Sequence, residues 1–124
     1  MKLCSDSVAI VDDEKDLVTL FTELLQENGY YTKGFTDPLS FLEYIRQYPY
    51  EFQFIILDYR MSPMQGCELA NETVKINPTV KMVLVTAYDD IVKNTLHLEI
   101  VKKPIYLNQI LELVKRYINT TTTI

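Results

Sequence analysis

Phe54-Ile55-Ile56-Leu57-Asp58 is a run of four apolar residues followed directly by an aspartate. A short, continuous apolar run predicts a strand buried on both faces, as in a parallel sheet. An aspartate at the end of such a strand needs a partner, because an isolated buried charge is costly. Residues 8–11 and 82–85 form two further apolar runs of this kind. The three runs therefore predict three central strands of one sheet.

Apolar residues with helical spacing occupy the intervals between these strands. They predict helices around residues 17–25, 41–48, 69–74 and 107–118. Asn28-Gly29 is a typical stop for the first helix, and Asp37-Pro38 combines an N-cap with a first-turn proline for the second. Weaker patterns predict strands at residues 30–35 and 99–101 and a short helix around residues 89–96. The alternation predicts an α/β fold, a doubly wound parallel sheet of five strands with helices on both faces.

The bulk composition predicts one domain and excludes several classes of protein. A length of 124 residues suits a single domain, here residues 1–124, with a core at about 7–119 and a frayed tail at 120–124. A net charge of −5 argues against direct nucleic-acid binding. No apolar run approaches the roughly 20 residues of a membrane span, and there is no signal-peptide pattern. We therefore expect a stand-alone cytoplasmic protein without membrane insertion.

Polar residues follow the predicted strands where the strands end. Asp12-Asp13 follows the first strand, Asp58 the third, Thr86 the fourth and Lys102-Lys103 the fifth. Ligands of such sheets bind beyond the carboxyl ends of the strands. The order of the sequence therefore predicts that three carboxylates, a hydroxyl and a lysine gather at one edge. Sequence alone leaves Lys102 as a rival to Lys103, and Thr86 could be a simple strand former.

This combination of groups suits phosphoryl chemistry. Three neighbouring carboxylates repel one another, and a hard divalent cation such as Mg²⁺ relieves the repulsion. A carboxylate can attack phosphorus to give an aspartyl phosphate. The charge that develops on the phosphoryl oxygens then needs a metal ion, an ammonium group and a hydrogen-bond donor. Asp12, Asp13, Asp58, Thr86 and Lys103 offer that full set.

Four motifs, in this order, resemble the receiver domain of response regulators in two-component signalling. They are Val11-Asp12-Asp13-Glu14, the segment from Ile55 to Gly66 around Asp58, Val85-Thr86-Ala87, and Lys102-Lys103-Pro104. The resemblance covers residues 7–119 and implies the flavodoxin-like receiver fold, chemotaxis-regulator-like, with strand order 2-1-3-4-5.

The resemblance also implies a role for each matching residue. Asp58 is expected to be the phosphorylated nucleophile, Lys103 to pair with it, and Thr86 to bind a phosphoryl oxygen and act as the switch. Mg²⁺ is expected on Asp12, Asp13, Asp58 and the backbone carbonyl of Arg60. The backbone N–H groups of Arg60 and Ala87 are expected to contact the phosphoryl group, and Pro104 to follow a cis bond.

Three departures from the family pattern lead to separate expectations. Ile100 stands where the family usually has an aromatic switch residue, so the usual coupling to Thr86 is absent or rerouted, with Tyr88 as a possible stand-in. The stretch from Thr86 to Lys103 is shorter than is common in the family, so the fourth helix should be short or distorted. Ser62-Pro63 predicts a different turn after Asp58.

The function expected from these residues is that of a phosphoacceptor in a phosphorelay. A histidine kinase or histidine phosphotransfer protein would donate the phosphoryl group, and the signal would pass to a downstream protein by direct contact. Such a chain assists its own phosphorylation and dephosphorylation but is not a turnover enzyme. Two alternatives stay open: an interaction module that works without phosphorylation, and a haloacid-dehalogenase-type phosphohydrolase, which would need Asp-x-Asp-x-Thr where this chain has Asp58-Tyr59-Arg60-Met61-Ser62.

Overall fold

Strands and helices alternate along the chain in the computed structural model, which describes residues 6–87 and 90–118. The strands are β1 (Ser7–Val11), β2 (Tyr31–Phe35), β3 (Phe54–Asp58), β4 (Lys81–Thr86) and β5 (Glu99–Lys102). The helices are α1 (Lys15–Glu27), α2 (Pro38–Gln47), α3 (Gly66–Ile76) and α4 (Leu107–Ile118). Over these described ranges, no helix combines the length and the apolar character that crossing a bilayer demands.

The five strands form one parallel sheet in the order β2-β1-β3-β4-β5. This confirms the predicted fold class and strand order. The chain moves from β1 outward to β2 and then returns past β1 to β3. A crevice opens at such a reversal, beyond the carboxyl ends of the strands, because the following connections leave on opposite faces. The carboxyl ends of β1 and β3 therefore lie next to each other at this crevice.

The central strands are apolar throughout because they bury both faces. Alternate residues of a strand point to opposite sides, so Val8 and Ile10 lie in one apolar layer and Ala9 and Val11 in the other. The first layer is closed by α1 and α4, the second by α2 and α3. Burying an aliphatic side chain contributes roughly 1.5–3 kcal/mol. These two layers hold the strand ends in fixed positions.

Helix boundaries follow the signals in the sequence. The Asp37 carboxylate accepts a hydrogen bond from the Leu39 N–H at 3.3 Å, and Pro38 opens α2. α1 ends at Glu27, and Gly29 has a φ of 91°, which only glycine adopts readily. Both predicted boundaries are confirmed. The predicted tail at residues 120–124 lies outside the described residues.

The short helix predicted around residues 89–96 is wrong for the part that the structure describes. Residues 90–98 form turns and irregular backbone, without a helix. Side chains supply the hydrogen bonds that a helix would make along its backbone. The Asn94 amide donates to the Leu98 carbonyl at 2.7 Å, and its oxygen accepts from the Leu98 N–H at 2.9 Å. Asparagine favours such local bonding over helix, which explains the difference.

Two prolines near the carboxyl edge follow cis peptide bonds. The Lys103–Pro104 bond is cis, as the resemblance implied. The Ser62–Pro63 bond is also cis, which fits the expectation of a different turn after Asp58.

Gly66 offers a test of how tightly α3 packs against the end of β3. A Cβ atom at this position would lie 2.3 Å from the Asp58 backbone oxygen and 3.0 Å from the Tyr59 Cα. Helix propensity favours alanine over glycine by about 1 kcal/mol, whereas overpacking against rigid atoms costs about 1–3 kcal/mol or more. We expect Gly66→Ala to lower the free energy of unfolding by about 2 kcal/mol, measured by urea denaturation.

Gly29→Ala is the matched control, because a Cβ atom at this position would have no neighbour within 4 Å and only the positive φ opposes it. It should cost about 1 kcal/mol. A Gly66→Ala protein as stable as the wild type would show that the two segments do not pack this closely.

Candidate functional site

Two carboxylates lie side by side at the carboxyl edge of the sheet, almost out of contact with water. Asp58 ends β3 and is 4% exposed, and Asp12 follows β1 and is 6% exposed. Asp13 is exposed beside them. One carboxylate oxygen from each of the three residues lies within 4.8 Å of the others. The structure therefore brings together the three carboxylates that the sequence predicted.

Backbone hydrogen bonds fix Asp12 in this position. Its N–H donates to the Phe35 carbonyl at 3.0 Å, which extends the pairing of β1 with β2. Its side-chain Oδ1 accepts from the Glu14 N–H at 2.9 Å. One oxygen of Asp12 is thereby bound to the chain just ahead of α1.

Lys103 is the lysine at the site. Its Nζ lies 3.0 Å from Asp58 Oδ1, and its backbone N–H donates to the Thr86 carbonyl at 2.7 Å. Lys102 pairs with Thr86 in the register of β4 and β5 and is exposed. Of the two lysines that the sequence left open, Lys103 is the one whose ammonium group reaches Asp58.

The charges at this edge do not balance, and the pKa values reflect it. Burial, together with the charge of Asp12, raises the pKa of Asp58 from 3.8 to about 6, although the Lys103 ammonium opposes the change. Burial also raises the pKa of Asp12 above its ordinary value. Burial opposes the charge on Lys103, but the hydrogen bond to Asp58 and the negative charges of Asp58 and Asp12 together outweigh this and raise the pKa of Lys103. The pair of buried carboxylates therefore favours an additional cation.

The end of β4 supplies two hydrogen-bond donors in different states. Thr86 is 1% exposed, and its Oγ1 has no hydrogen-bond partner among the described residues. A buried hydroxyl without a partner costs about 1–3 kcal/mol. The N–H of Ala87, in contrast, donates to Asp90 Oδ2 at 2.7 Å. One predicted phosphoryl donor thus lacks an acceptor, while the other already has one.

Asp90 is a residue of this site that the sequence reasoning missed. Its second oxygen, Oδ1, forms an ion pair with Arg60 Nε, and its side chain is 1% exposed. Burial acts to raise the pKa of this carboxyl, but Arg60 and the Ala87 N–H outweigh it and lower that pKa. An acidic residue three positions after Ala87 is visible in the sequence. The sequence does not show that this carboxylate turns back onto the backbone.

A cleft of about 490 Å³ adjoins the carboxylates. Asp12, Asp58, Ala87 and Lys103 line its polar part together with Pro104, and apolar side chains of α1 and the central strands line the rest. The nucleophile predicted at Asp58 and the donor predicted at Ala87 thus face the same space. The predicted ligand role of the Arg60 carbonyl stays a prediction.

Two further residues, Ile100 and Tyr88, are expected from the sequence to act in the switch. Ile100 lies on the edge strand β5, opposite Leu84 in the register, and is 36% exposed. Tyr88 lies outside the described residues.

The family model for the response regulator receiver domain matches residues 8–115. The chain belongs to this family. The match spans the acidic pair, Asp58, Thr86 and Lys103, so the four motifs quoted from the sequence fall inside it.

Relatives of this receiver chain resemble it along most of its length. "Sporulation initiation phosphotransferase F" of Bacillus subtilis (strain 168) is 24% identical over 122 residues, which is 94% of this chain and 96% of the relative. "Response regulator receiver protein CpdR" of Brucella abortus (strain 2308) is 25% identical over 87 residues, 70% of this chain and 71% of the relative. The crystal structure of a response regulator receiver domain protein from Clostridium thermocellum has a TM-score of 0.82 at 19% identity, covering 94% and 96% of the two chains.

The acidic cluster of the receiver chain has the donor chemistry that a hard divalent cation requires. All three side chains offer carboxylate oxygens, and no sulfur or nitrogen ligand is among them. Burial raises the pKa values of Asp12 and Asp58, so these carboxylates are costly to keep charged without a further cation. Asp12, Asp13 and Asp58 could therefore hold a metal ion.

Replacing Asp58 should reveal the cost of its charge as a pH-dependent gain in stability. Because folding raises the pKa of Asp58 to about 6, its contribution to stability is present below about 3.8 and is lost as the pH rises through 6. Without metal, Asp58→Asn should therefore stabilise the chain more at pH 7.5 than at pH 4.5. The difference should be about 2 kcal/mol, at about 1.4 kcal/mol per pKa unit.

Urea denaturation in the presence of a chelator at both pH values makes this measurement. Glu112→Gln, which removes an exposed carboxylate from α4, is the matched control and should show no such pH dependence. An equal effect of Asp58→Asn at both pH values would mean that the pKa of Asp58 is not raised.

Proposed function

We propose that this chain accepts a phosphoryl group on Asp58 from the phosphohistidine of a histidine kinase or a histidine phosphotransfer protein. The observation that carries the proposal is the buried Asp58 carboxylate, 3.0 Å from the Lys103 ammonium and within 4.8 Å of two further carboxylates. A signal would leave the domain by contact with a downstream protein. The expected cytoplasmic location is part of this proposal.

The transfer exchanges one bond to phosphorus for another. An Asp58 oxygen attacks phosphorus, the P–N bond to the donor imidazole breaks, and the imidazole nitrogen keeps the electron pair and takes up a proton. Hydrolysis later adds water, returns the Asp58 carboxylate and releases inorganic phosphate. The chain is restored but serves mainly as the acceptor, so it is not a turnover enzyme.

Each neighbouring group has a role that follows from its position. Lys103 holds a positive charge against Asp58 and then against the phosphoryl oxygens, where it offsets the developing negative charge. Thr86 offers a buried hydroxyl whose missing acceptor a phosphoryl oxygen would supply. Mg²⁺, held by Asp12, Asp13, Asp58 and the Arg60 carbonyl, would add positive charge beside the phosphoryl oxygens. The backbone N–H groups of Arg60 and Ala87 complete the donor set.

The names of the relatives agree with this proposal. The Bacillus subtilis relative is named a phosphotransferase of sporulation initiation, and the Brucella abortus relative a response regulator receiver protein. Both names describe those proteins, and they support a place for this chain in a similar transfer between signalling proteins.

Acetyl phosphate tests whether Asp58 accepts a phosphoryl group. Incubation with Mg²⁺ and acetyl phosphate should add the mass of one phosphoryl group to the intact chain, because the small donor replaces the phosphohistidine. The adduct should be absent from Asp58→Asn and from wild type in a chelator. A folded wild type that takes no adduct from acetyl phosphate or from a panel of active kinases would favour the phosphorylation-independent interaction module instead.

The neighbouring lysines provide a matched pair for the role of Lys103. Lys103→Ala should slow adduct formation by about 10²-fold, the loss typical when one charge-stabilising group is removed from a reacting centre. Lys102→Ala removes the same charge one position earlier from an exposed side chain and should change the rate by less than about twofold. Equal rates for the two variants, measured by intact mass against time, would contradict the assigned role.

A further inference from the structure

Asp90 occupies a hydrogen-bond donor that the proposed reaction needs. The Ala87 N–H donates to Asp90 Oδ2 at 2.7 Å, and the Asp90 N–H donates back to the Ala87 carbonyl at 3.2 Å. The other carboxylate oxygen is paired with the Arg60 guanidinium, so both oxygens are bound. The side chain is 1% exposed. The chain thus holds an anion of its own at the place where a phosphoryl oxygen would bind.

The two anions cannot share this donor. A backbone N–H carries one hydrogen and makes one good hydrogen bond. Asp58 and Ala87 line the same cleft, so a phosphoryl group on Asp58 brings negative charge towards the Asp90 carboxylate. Like charges at short range in a partly buried site repel strongly. Formation of the aspartyl phosphate therefore drives the Asp90 carboxylate off the Ala87 N–H.

The Arg60 guanidinium can move from the Asp90 carboxylate towards the phosphoryl oxygens when this exchange takes place. Its side chain is 72% exposed, so it can reorient without opening the apolar layers. A guanidinium forms paired hydrogen bonds with phosphoryl oxygens just as it does with the oxygens of a carboxylate. The exchange therefore weakens both bonds of Asp90 together.

Asp90 is also one of the attachments of the segment 90–98, which stands where the predicted fourth helix is missing. The second attachment is Tyr59, whose hydroxyl accepts from the Lys93 N–H at 3.1 Å and donates to the Ile91 carbonyl at 3.4 Å. The Ile91 side chain is 93% exposed, whereas the neighbouring Val92 side chain packs against the second apolar layer. Among the contacts of the described residues, loss of those made by Asp90 leaves the two Tyr59 hydrogen bonds and the packing of Val92 to hold residues 90–93.

We infer that Asp90 is a built-in competitor for the phosphoryl group, and that its displacement from Ala87 on phosphorylation of Asp58 loosens residues 90–93, the part of the chain that carries the signal. This inference rests on the proposed function and assigns its output. It gives the chain a route for the signal that does not need an aromatic residue at position 100, where Ile100 has no ring to reorient.

Amide hydrogen exchange, followed by NMR at one fixed pH, tests the inference in the full chain. In the transfer from acetyl phosphate, an Asp58 oxygen bonds to phosphorus and acetate leaves. With acetyl phosphate and Mg²⁺ present, the amides of Asp90 and Lys93, which donate to the Ala87 carbonyl and the Tyr59 hydroxyl, should exchange at least tenfold faster, whereas the Ala87 amide should stay protected by its new acceptor. Intact mass on the same sample reports whether the adduct is present.

Asp90→Ala separates the contact from the chemistry. Without phosphodonor, the amides of residues 90 and 93 in this variant should already exchange at least tenfold faster than in wild type, and its Ala87 amide should lose protection until Asp58 is phosphorylated. The adduct should form about fivefold faster, because the competing anion is gone. Asp90→Asn keeps the shape of the side chain and should lie between the two. Glu72→Gln, which removes a carboxylate from the Lys75 ion pair on α3, should match wild type.

The outcomes distinguish this inference from the proposed function. A wild type that takes no adduct overturns the proposed function and the exchange that depends on it. An adduct that leaves the exchange of residues 90 and 93 unchanged overturns the inference alone. Slower adduct formation in Asp90→Ala would also overturn it, since Asp90 would then assist the transfer rather than compete with it.

Discussion

Repulsion between two buried carboxylates is the constraint around which the site is arranged. Asp12 and Asp58 are fixed at the ends of adjacent strands, and each is nearly excluded from water. One ammonium, that of Lys103, faces Asp58. Removing a charged group from water costs several kcal/mol, and a single partner does not offset two such charges. The apolar layers on both faces of the sheet keep these groups in place despite that cost.

The two hydrogen-bond donors at the end of β4 differ in whether they already have an acceptor. Thr86 directs no hydrogen bond to any described neighbour, whereas the next residue along the chain gives its N–H to a carboxylate of a following turn. The site is therefore prepared unevenly. One donor is ready for an incoming oxygen, and the other must be vacated first.

The fold and most of the site could be predicted from the sequence because strand ends place residues without detailed packing. Asp12, Asp58 and Thr86 each follow an uninterrupted apolar run, so their shared edge depends only on strand direction. Lys103 could not be separated from Lys102 in this way. The two lysines are adjacent, and the weak apolar pattern of β5 does not show at which residue the strand ends. The helix expected around residues 89–96 failed for another reason. The apolar pattern of this segment is weak, and side chains within it, Asn94 above all, hydrogen-bond to the local backbone in place of a helix. Asp90 could not be assigned at all, since its partners Arg60 and Ala87 come from separate loops.

Tyr59 has an evolutionary consequence. It follows the nucleophile directly, its ring lies in the apolar layer beneath α3, and its hydroxyl alone reaches the backbone of residues 91 and 93. A phenylalanine would keep the ring and lose both bonds, and a single nucleotide change converts one codon to the other. The attachment of residues 91–93 to Tyr59 can therefore change in evolution through the loss or gain of one oxygen atom, while the acidic pocket stays as it is.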